Sequence, residues 1–330
     1  MALRRAALGA AWVLAGMALA SAAQEPPPAA APTAPAAPAL PARAPSLPPE
    51  EFAGCWQDVA AEGHFLLLEA DRVRELHPFD GAPPILQFAR ALYDLDHVVR
   101  ITWGRRIRSE LDFDGELLRV TTGERADRYR RVAAAAQPAA LEVAPLPLGS
   151  AAPLPAPRLA ALQAEFAKRR EIDQAVRTDA ARHAEMEAVD RDNTAWLAAL
   201  VQEIGWIDVE RFGAEAAGAA FLIVQHSGDL PLMSAALPAI ERDVRQHGLD
   251  GQNYALLFDR LQVNLGRRQR YGSQLGSDEQ GRLIVIGLEA RDRVDAWRKE
   301  LRMPPLAQYL DFFRKGTPPK VVLFEDDLPE

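Results

Sequence analysis

Proline placement limits this chain more than any other feature. Of its 26 prolines, ten fall in residues 24–49 and six in residues 138–157. The segments around them, 24–49 (QEPPPAAAPTAPAAPALPARAPSLPP) and 133–157 (AAAAQPAALEVAPLPLGSAAPLPAP), offer little to build a core from and favour extended polyproline geometry. The 330 residues therefore cannot form one continuous domain. A hydrophobic content of 48% with a net charge of −8 equally excludes wholesale disorder. The predicted partition is a signal segment (1–23), a Pro/Ala-rich linker (24–49), a β-module (50–132), a second Pro/Ala-rich linker (133–157), an α-helical module (158–315) and a tail (316–330).

The N-terminus reads as a cleavable export signal. Arg4 and Arg5 precede an uncharged apolar stretch over residues 6–19, and Ala20-Ser21-Ala22 supplies a small-x-small cleavage pattern. The expected location is periplasmic or secreted, with no stable transmembrane segment after cleavage, because the apolar stretch is shorter than the ~20 residues a span requires. Loss of the two arginines leaves 36 basic against 46 acidic residues, a net −10. Such an acidic chain is a poor partner for nucleic acid or anionic lipid, both of which need concentrated positive charge. Arg outnumbers Lys by 34 to 4, which we read as codon bias, since Ala is equally inflated. The sole cysteine, Cys55, excludes an internal disulfide and a Cys-based metal site, and is expected in a core as a small hydrophobe.

Residues 50–132 carry eight short apolar or β-branched runs: Cys55–Val59, His64–Glu69, Arg72–Leu76, Phe88–Leu95, Val98–Trp103, Ile107–Phe113, Glu116–Thr121 and Arg128–Val132. Asp114-Gly115 between the sixth and seventh is a hairpin signal, because glycine supplies positive φ without steric cost. The expected form is a sequential antiparallel meander curled into a small barrel. The pattern Phe52-x-Gly54-x-Trp56, Tyr93-x-Leu95-Asp96, Asp114-Gly115-x-Leu117 and Tyr129-Arg130-Arg131-Val132 resembles the compact lipocalin-like domains of bacterial envelope proteins, over about 80 residues.

Beyond residue 158 the periodicity is helical. It predicts helices over about 159–188, 194–204 (capped by Asp192-Asn193), 214–225, 232–247, 253–265, 294–301 and 306–313, with one short strand at 282–288. Several polar side chains fall where amphipathic packing does not require them: Asp173-Gln174-x-x-Arg177, Gln225-His226, Asp259-Arg260 and Gln269-Arg270-Tyr271-Gly272-Ser273-Gln274. With Asp192-Asn193, Gly205-Trp206 and Tyr254-x-x-Leu257, they resemble a bacterial family of unknown function over roughly residues 160–312; Ile207 stands where that family usually carries proline. The resemblance implies no activity.

The chemistry must therefore come from the residues. His226 is the default acid/base candidate, because its ordinary pKa lies near neutrality, and Asp259 is the carboxylate expected to orient it. Gln174, Arg177, Asn193, Gln225, Arg260, Gln269, Tyr271 and Gln274 are the candidate ligand-binding set. The preferred reading is a small polar or envelope-derived ligand bound in a polar pocket around His226. The first rival is a hydrolase with His226 as general base and water or Ser273 as nucleophile; the second is a structural interaction module whose polar residues fasten helices together. No glycine-rich phosphate loop, dinucleotide fingerprint or recognised ligand spacing among His183, His226 and His247 is present, so no cofactor or metal is expected.

Overall fold

The structure is a computed structural model. It describes residues 50–328, apart from 80–81, 95–96, 103–104, 279 and 317–318. The predicted signal and first linker lie outside the described residues.

Eight antiparallel strands close into a barrel: β1 (Gly54–Asp58), β2 (Phe65–Leu68), β3 (Arg72–Phe79), β4 (Ala82–Asp94), β5 (His97–Thr102), β6 (Arg105–Phe113), β7 (Leu117–Thr122) and β8 (Arg125–Val132). Each strand pairs with the next, and β8 returns to β1, so no edge is left open. The β6–β7 hairpin turns at Asp114-Gly115, where Gly115 has φ +98° and Asp114 Oδ1 accepts from Glu116 N and Leu117 N. Period-2 alternation sends Trp56, Leu66, Leu68, Val73, Leu111 and Leu118 into one interior core. Cys55 faces the other way and is buried outside the barrel wall with Leu67, Leu76 and Leu141.

The rest of the chain is mostly helical: α1 (Ala156–Thr178), α2 (Met186–Ile204), α3 (Val209–Ser227), α4 (Leu230–Arg245), α5 (Gly251–Asn264), then after two short strands α6 (Val294–Glu300) and α7 (Leu306–Arg314). Aspartates set three of the starts: Asp208, Asp229 and Asp250 each accept from a backbone N–H of the first turn of α3, α4 and α5. Phe166, Leu197, Phe212, Ile223, Ile240 and Leu257 are among the residues of a single core shared by α1–α5. No helix among the described residues is long and apolar enough to cross a membrane.

Three sequence expectations change. The first predicted helix is two: α1 stops at Thr178 and a 3-10 segment leads into α2. Asp192 and Asn193 consequently lie inside α2 rather than capping it. Second, the predicted strand near 282–288 is the middle of a three-stranded sheet, β9 (Leu275–Ser277), β10 (Leu283–Val285) and β11 (Val322–Phe324), in the order β11-β10-β9. Its parallel outer strand comes from the segment expected to be a tail, and Glu325 beyond it is 2% exposed.

Third, residues 133–157 are a strap held to both parts rather than a free spacer. Leu141 is buried on the barrel wall, where Arg74 Nη1 donates to its carbonyl at 2.7 Å and to Glu142 at 2.6 Å. Farther along, Leu146 N donates to Pro231 O and Gly149 N to Val201 O, both at 2.9 Å. A Cβ on Gly149 would sit 2.4 Å from the carbonyl oxygen of Glu203 and 2.5 Å from that of Gln202. Both obstacles are backbone at the end of α2, so a substitution must lift the strap. Gly149→Ala is expected to cost about 1–3 kcal/mol in urea denaturation; a neutral result would mean the strap does not rest on α2.

Candidate functional site

The polar residues of the helical part fall into two groups with different surroundings. The first fastens the loop after α5. Asp259 is fully buried, and its carboxylate accepts from Arg270 N (2.8 Å), Tyr271 N (3.0 Å) and Ser273 N (2.9 Å). Burial pushes this carboxyl up to about 6, against the pull of those N–H groups. Gly272 takes φ +68° so that the loop can fold back over the carboxylate. Gln269, also fully buried, donates to Gln274 O (2.9 Å) and Ile286 O (2.6 Å) and accepts from Gln274 N (2.8 Å). Tyr271 packs edge-on against Phe258 and Tyr254, and Arg298 Nη1 donates to its carbonyl. Ser273 Oγ donates to Ala255 O.

The second group surrounds His226, at the C-terminal end of α3. Its Nδ1 lies 3.0 Å from Asp173 Oδ1, on α1. Arg177, one turn along α1, contacts the same oxygen at 2.9 Å and reaches Asp190 Oδ1 on α2 at 2.5 Å. Gln174 Nε2 donates to the other Asp173 oxygen at 2.7 Å. Asn193, three residues after Asp190, accepts from Arg169 Nη1 at 2.7 Å. On the α5 side, Arg260 Nη1 donates to Gln225 O (2.7 Å) and its Nε to Gln274 Oε1 (3.1 Å). Three helices thus supply a histidine, two carboxylates and an arginine in one chain of contacts, joined through Gln225, Arg260 and Gln274 to the fastened loop.

Asp259 is not the carboxylate on His226, since the hydrogen bonds of its two oxygens run to the loop backbone. That position belongs to Asp173, which sequence reasoning quoted as part of a motif but left out of the candidate set. Asp190 had no sequence signal, because its role depends on α1 and α2 running side by side. Arg177, Gln174, Gln225 and Arg260 do gather near His226, whereas Asn193 is bonded to Arg169; Gln269 and Tyr271 belong to the loop fastening, and Gln274 touches both groups.

The electrostatics favour a neutral ring. Burial pushes the His226 imidazole below its ordinary value; Asp173 pulls the other way, and the positive charges of Arg177 and Arg260 reinforce the fall. Asp173 is raised by burial but more than offset by His226 and Arg177, ending below the usual carboxylate range. An ionised carboxylate only accepts, so the neutral ring must carry its proton on Nδ1 and present a lone pair at Nε2. Burial also pulls the Arg260 guanidinium down to about 10, with help from the like charge of Arg177. Three buried side-chain atoms of the candidate residues, Gln225 Oε1, Asn193 Nδ2 and Arg177 Nε, have no hydrogen-bond partner.

A pH dependence follows. A neutral His226 in the fold, against an unfolded value near 6.5, means the unfolded chain binds more protons as the pH falls. Stability from this group is therefore present above about pH 6.5 and lost as the pH drops through the lower folded value. His226→Gln is expected to flatten that part of the acid limb in denaturation series; an unchanged slope would contradict the neutral ring.

No curated protein and no solved structure matches the chain. Residues 154–321 match a family model whose description is "Family of unknown function (DUF6624)", and this segment holds α1–α7, β9, β10 and every residue of the His226 group. The chain belongs to the DUF6624 family.

Proposed function

We propose that the helical part binds a small polar ligand at His226. One observation carries this reading: the 3.0 Å contact to Asp173, which fixes the proton on Nδ1 and leaves Nε2 as an acceptor. Gln225 Oε1 is a second buried acceptor, while Asn193 Nδ2 and Arg177 Nε are donors. The complementary ligand donates an N–H or O–H group to Nε2, as amino sugars, amino acids and short peptides of the cell envelope do.

Export is part of the proposal. It is supported by Arg4, Arg5, the apolar stretch over 6–19 and the Ala20-Ser21-Ala22 pattern. An envelope setting also suits the lipocalin-like reading of the barrel, which its closed sequential antiparallel topology favours.

The same His226–Asp173 contact favours a second reading, a hydrolase in which Asp173 orients His226 as general base toward water. Ser273 is a poor nucleophile in this scheme, because its hydroxyl donates to Ala255 O.

Thermal-shift measurements with envelope-derived amino sugars, amino acids and muropeptides test the binding reading. A ligand that raises the midpoint of the unmodified chain is expected to lose that effect with His226→Ala and with Arg260→Ala. Unchanged shifts in variants with intact folding would contradict it. Turnover of the same compounds, abolished by His226→Ala, would favour the hydrolase.

A further inference from the structure

Among the described residues, the helical part holds one cluster of metal-type donors, Asp173, Asp190 and His226, with ligand atoms all within 4.8 Å of one another. Arg177 already bridges its two carboxylates, at 2.9 and 2.5 Å, so a cation's place is taken by the guanidinium. The barrel holds a second cluster, His64, Glu75 and His77, gathered equally closely. The guanidinium on Glu75, that of Arg100, meets its other oxygen, Oε2, at 3.0 Å.

The strand register creates this second group. Asp58 N donates to His64 O, and Phe65 pairs with Leu76, so Asp58 on β1, His64 just before β2 and His77 on β3 form a row. Glu75 shares a face with His77, because alternate residues of a strand point the same way. The imidazoles of His64 and His77 stack with centroids 4.8 Å apart. Both Nε2 atoms lie near one oxygen: His64 Nε2 hydrogen-bonds Glu75 Oε1 at 3.0 Å, and His77 Nε2 is 3.5 Å from it. Donor atoms bound tetrahedrally at about 2.0–2.1 Å to one ion stand about 3.3 Å apart.

We propose that His64, Glu75 and His77 form a divalent transition-metal site of the zinc type. The ion takes the place of the hydrogen between His64 Nε2 and Glu75 Oε1, and His77 Nε2 completes three protein ligands. The surroundings are those of a tuned site. His64 Nδ1 contacts Asp58 Oδ2 at 2.9 Å, which orients the ring and raises its basicity. Arg100 Nη1 holds the other Glu75 oxygen at 3.0 Å, so the carboxylate presents Oε1 alone. Glu75 also lines a cavity of about 170 Å³ with Arg100, Thr122, Asp127 and Tyr129. Spacing rules miss the set because one donor comes from a neighbouring strand and the other two are only two residues apart.

Cobalt(II) titration of the metal-stripped full chain tests the proposal. The expected result is one equivalent bound, with visible d–d bands of a low-coordinate ion that zinc displaces. His77→Ala should abolish the bands; this side chain is 36% exposed at the rim, so the fold should survive, as far-UV circular dichroism will verify. Glu75→Gln is the second variant and should do the same. Asp58→Asn should weaken binding about 10–100-fold. His226→Ala should leave the titration unchanged. Absence of bands, bands that survive both His77→Ala and Glu75→Gln, or bands lost with His226→Ala would overturn the proposal.

Discussion

Replacing Glu325 with alanine should destabilise the protein by about 3–5 kcal/mol, the usual cost of breaking one side of a buried ion pair. Glu325 follows β11 and is 2% exposed; its Oε2 accepts from Arg90 Nη2 on β4 of the barrel and from Gly287 N at 2.6 Å. Arg106 Nη2 donates to its carbonyl at 3.2 Å. Arg90 is itself 8% exposed, and burial pulls its guanidinium below the ordinary value, with Glu325 opposing. Losing the carboxylate would leave a buried cation uncompensated where the barrel meets the three-stranded sheet. Gly287 leaves room for this pair, since a Cβ there would lie 2.0 Å from Arg90 Nη1. The cost belongs to the orphaned charge rather than to the pair. Arg90→Met with Glu325→Leu should therefore recover most of it. Urea denaturation of the two variants checks both statements, and a double variant no better than Glu325→Ala would contradict this account.

Asp259→Ala is the second large effect, at about 3–5 kcal/mol. It removes the acceptor of three backbone N–H groups at once. Each buried donor left unpaired costs about 1–3 kcal/mol, and the three are not independent. The loop over 270–273 has other anchors, Gln269 and Arg298, so it should loosen rather than unfold separately. Hydrogen exchange at the amides of Arg270, Tyr271 and Ser273 should accelerate more than exchange in α1 or in the barrel. Uniform acceleration would mean that Asp259 acts on global stability alone.

These two residues also mark where sequence reasoning ends. The eight strands were legible because a barrel wall imposes period-2 alternation, and all eight expected runs overlap β1–β8. The helices were legible from their 3.6-residue period. Features set by non-local contact were not. The strap reads as Pro/Ala composition, yet Leu141, Leu146 and Gly149 seat it on two different surfaces. Val322–Phe324 is too short to announce a strand and exists as one because β10 lies beside it. Asp192-Asn193 has capping chemistry, but Arg169 from α1 bonds both side chains within α2. The candidate set around His226 was largely legible as polar residues in excess of packing need. Which carboxylate orients the ring was not: the sequence pointed to Asp259, and only the packing of α1 against α3 puts Asp173 on the ring.

The central claim is that His226 is a neutral imidazole, protonated on Nδ1 toward Asp173 and open at Nε2. Nitrogen-15 NMR of histidine-labelled full-length protein reads both properties directly. At neutral pH the His226 signals should be those of the neutral Nδ1–H tautomer, with a titration midpoint below about 6.5. Asp173→Asn should disturb the tautomer, while Asp259→Asn should leave it in place. An imidazolium at neutral pH, or a proton on Nε2 in the unmodified chain, would contradict the account.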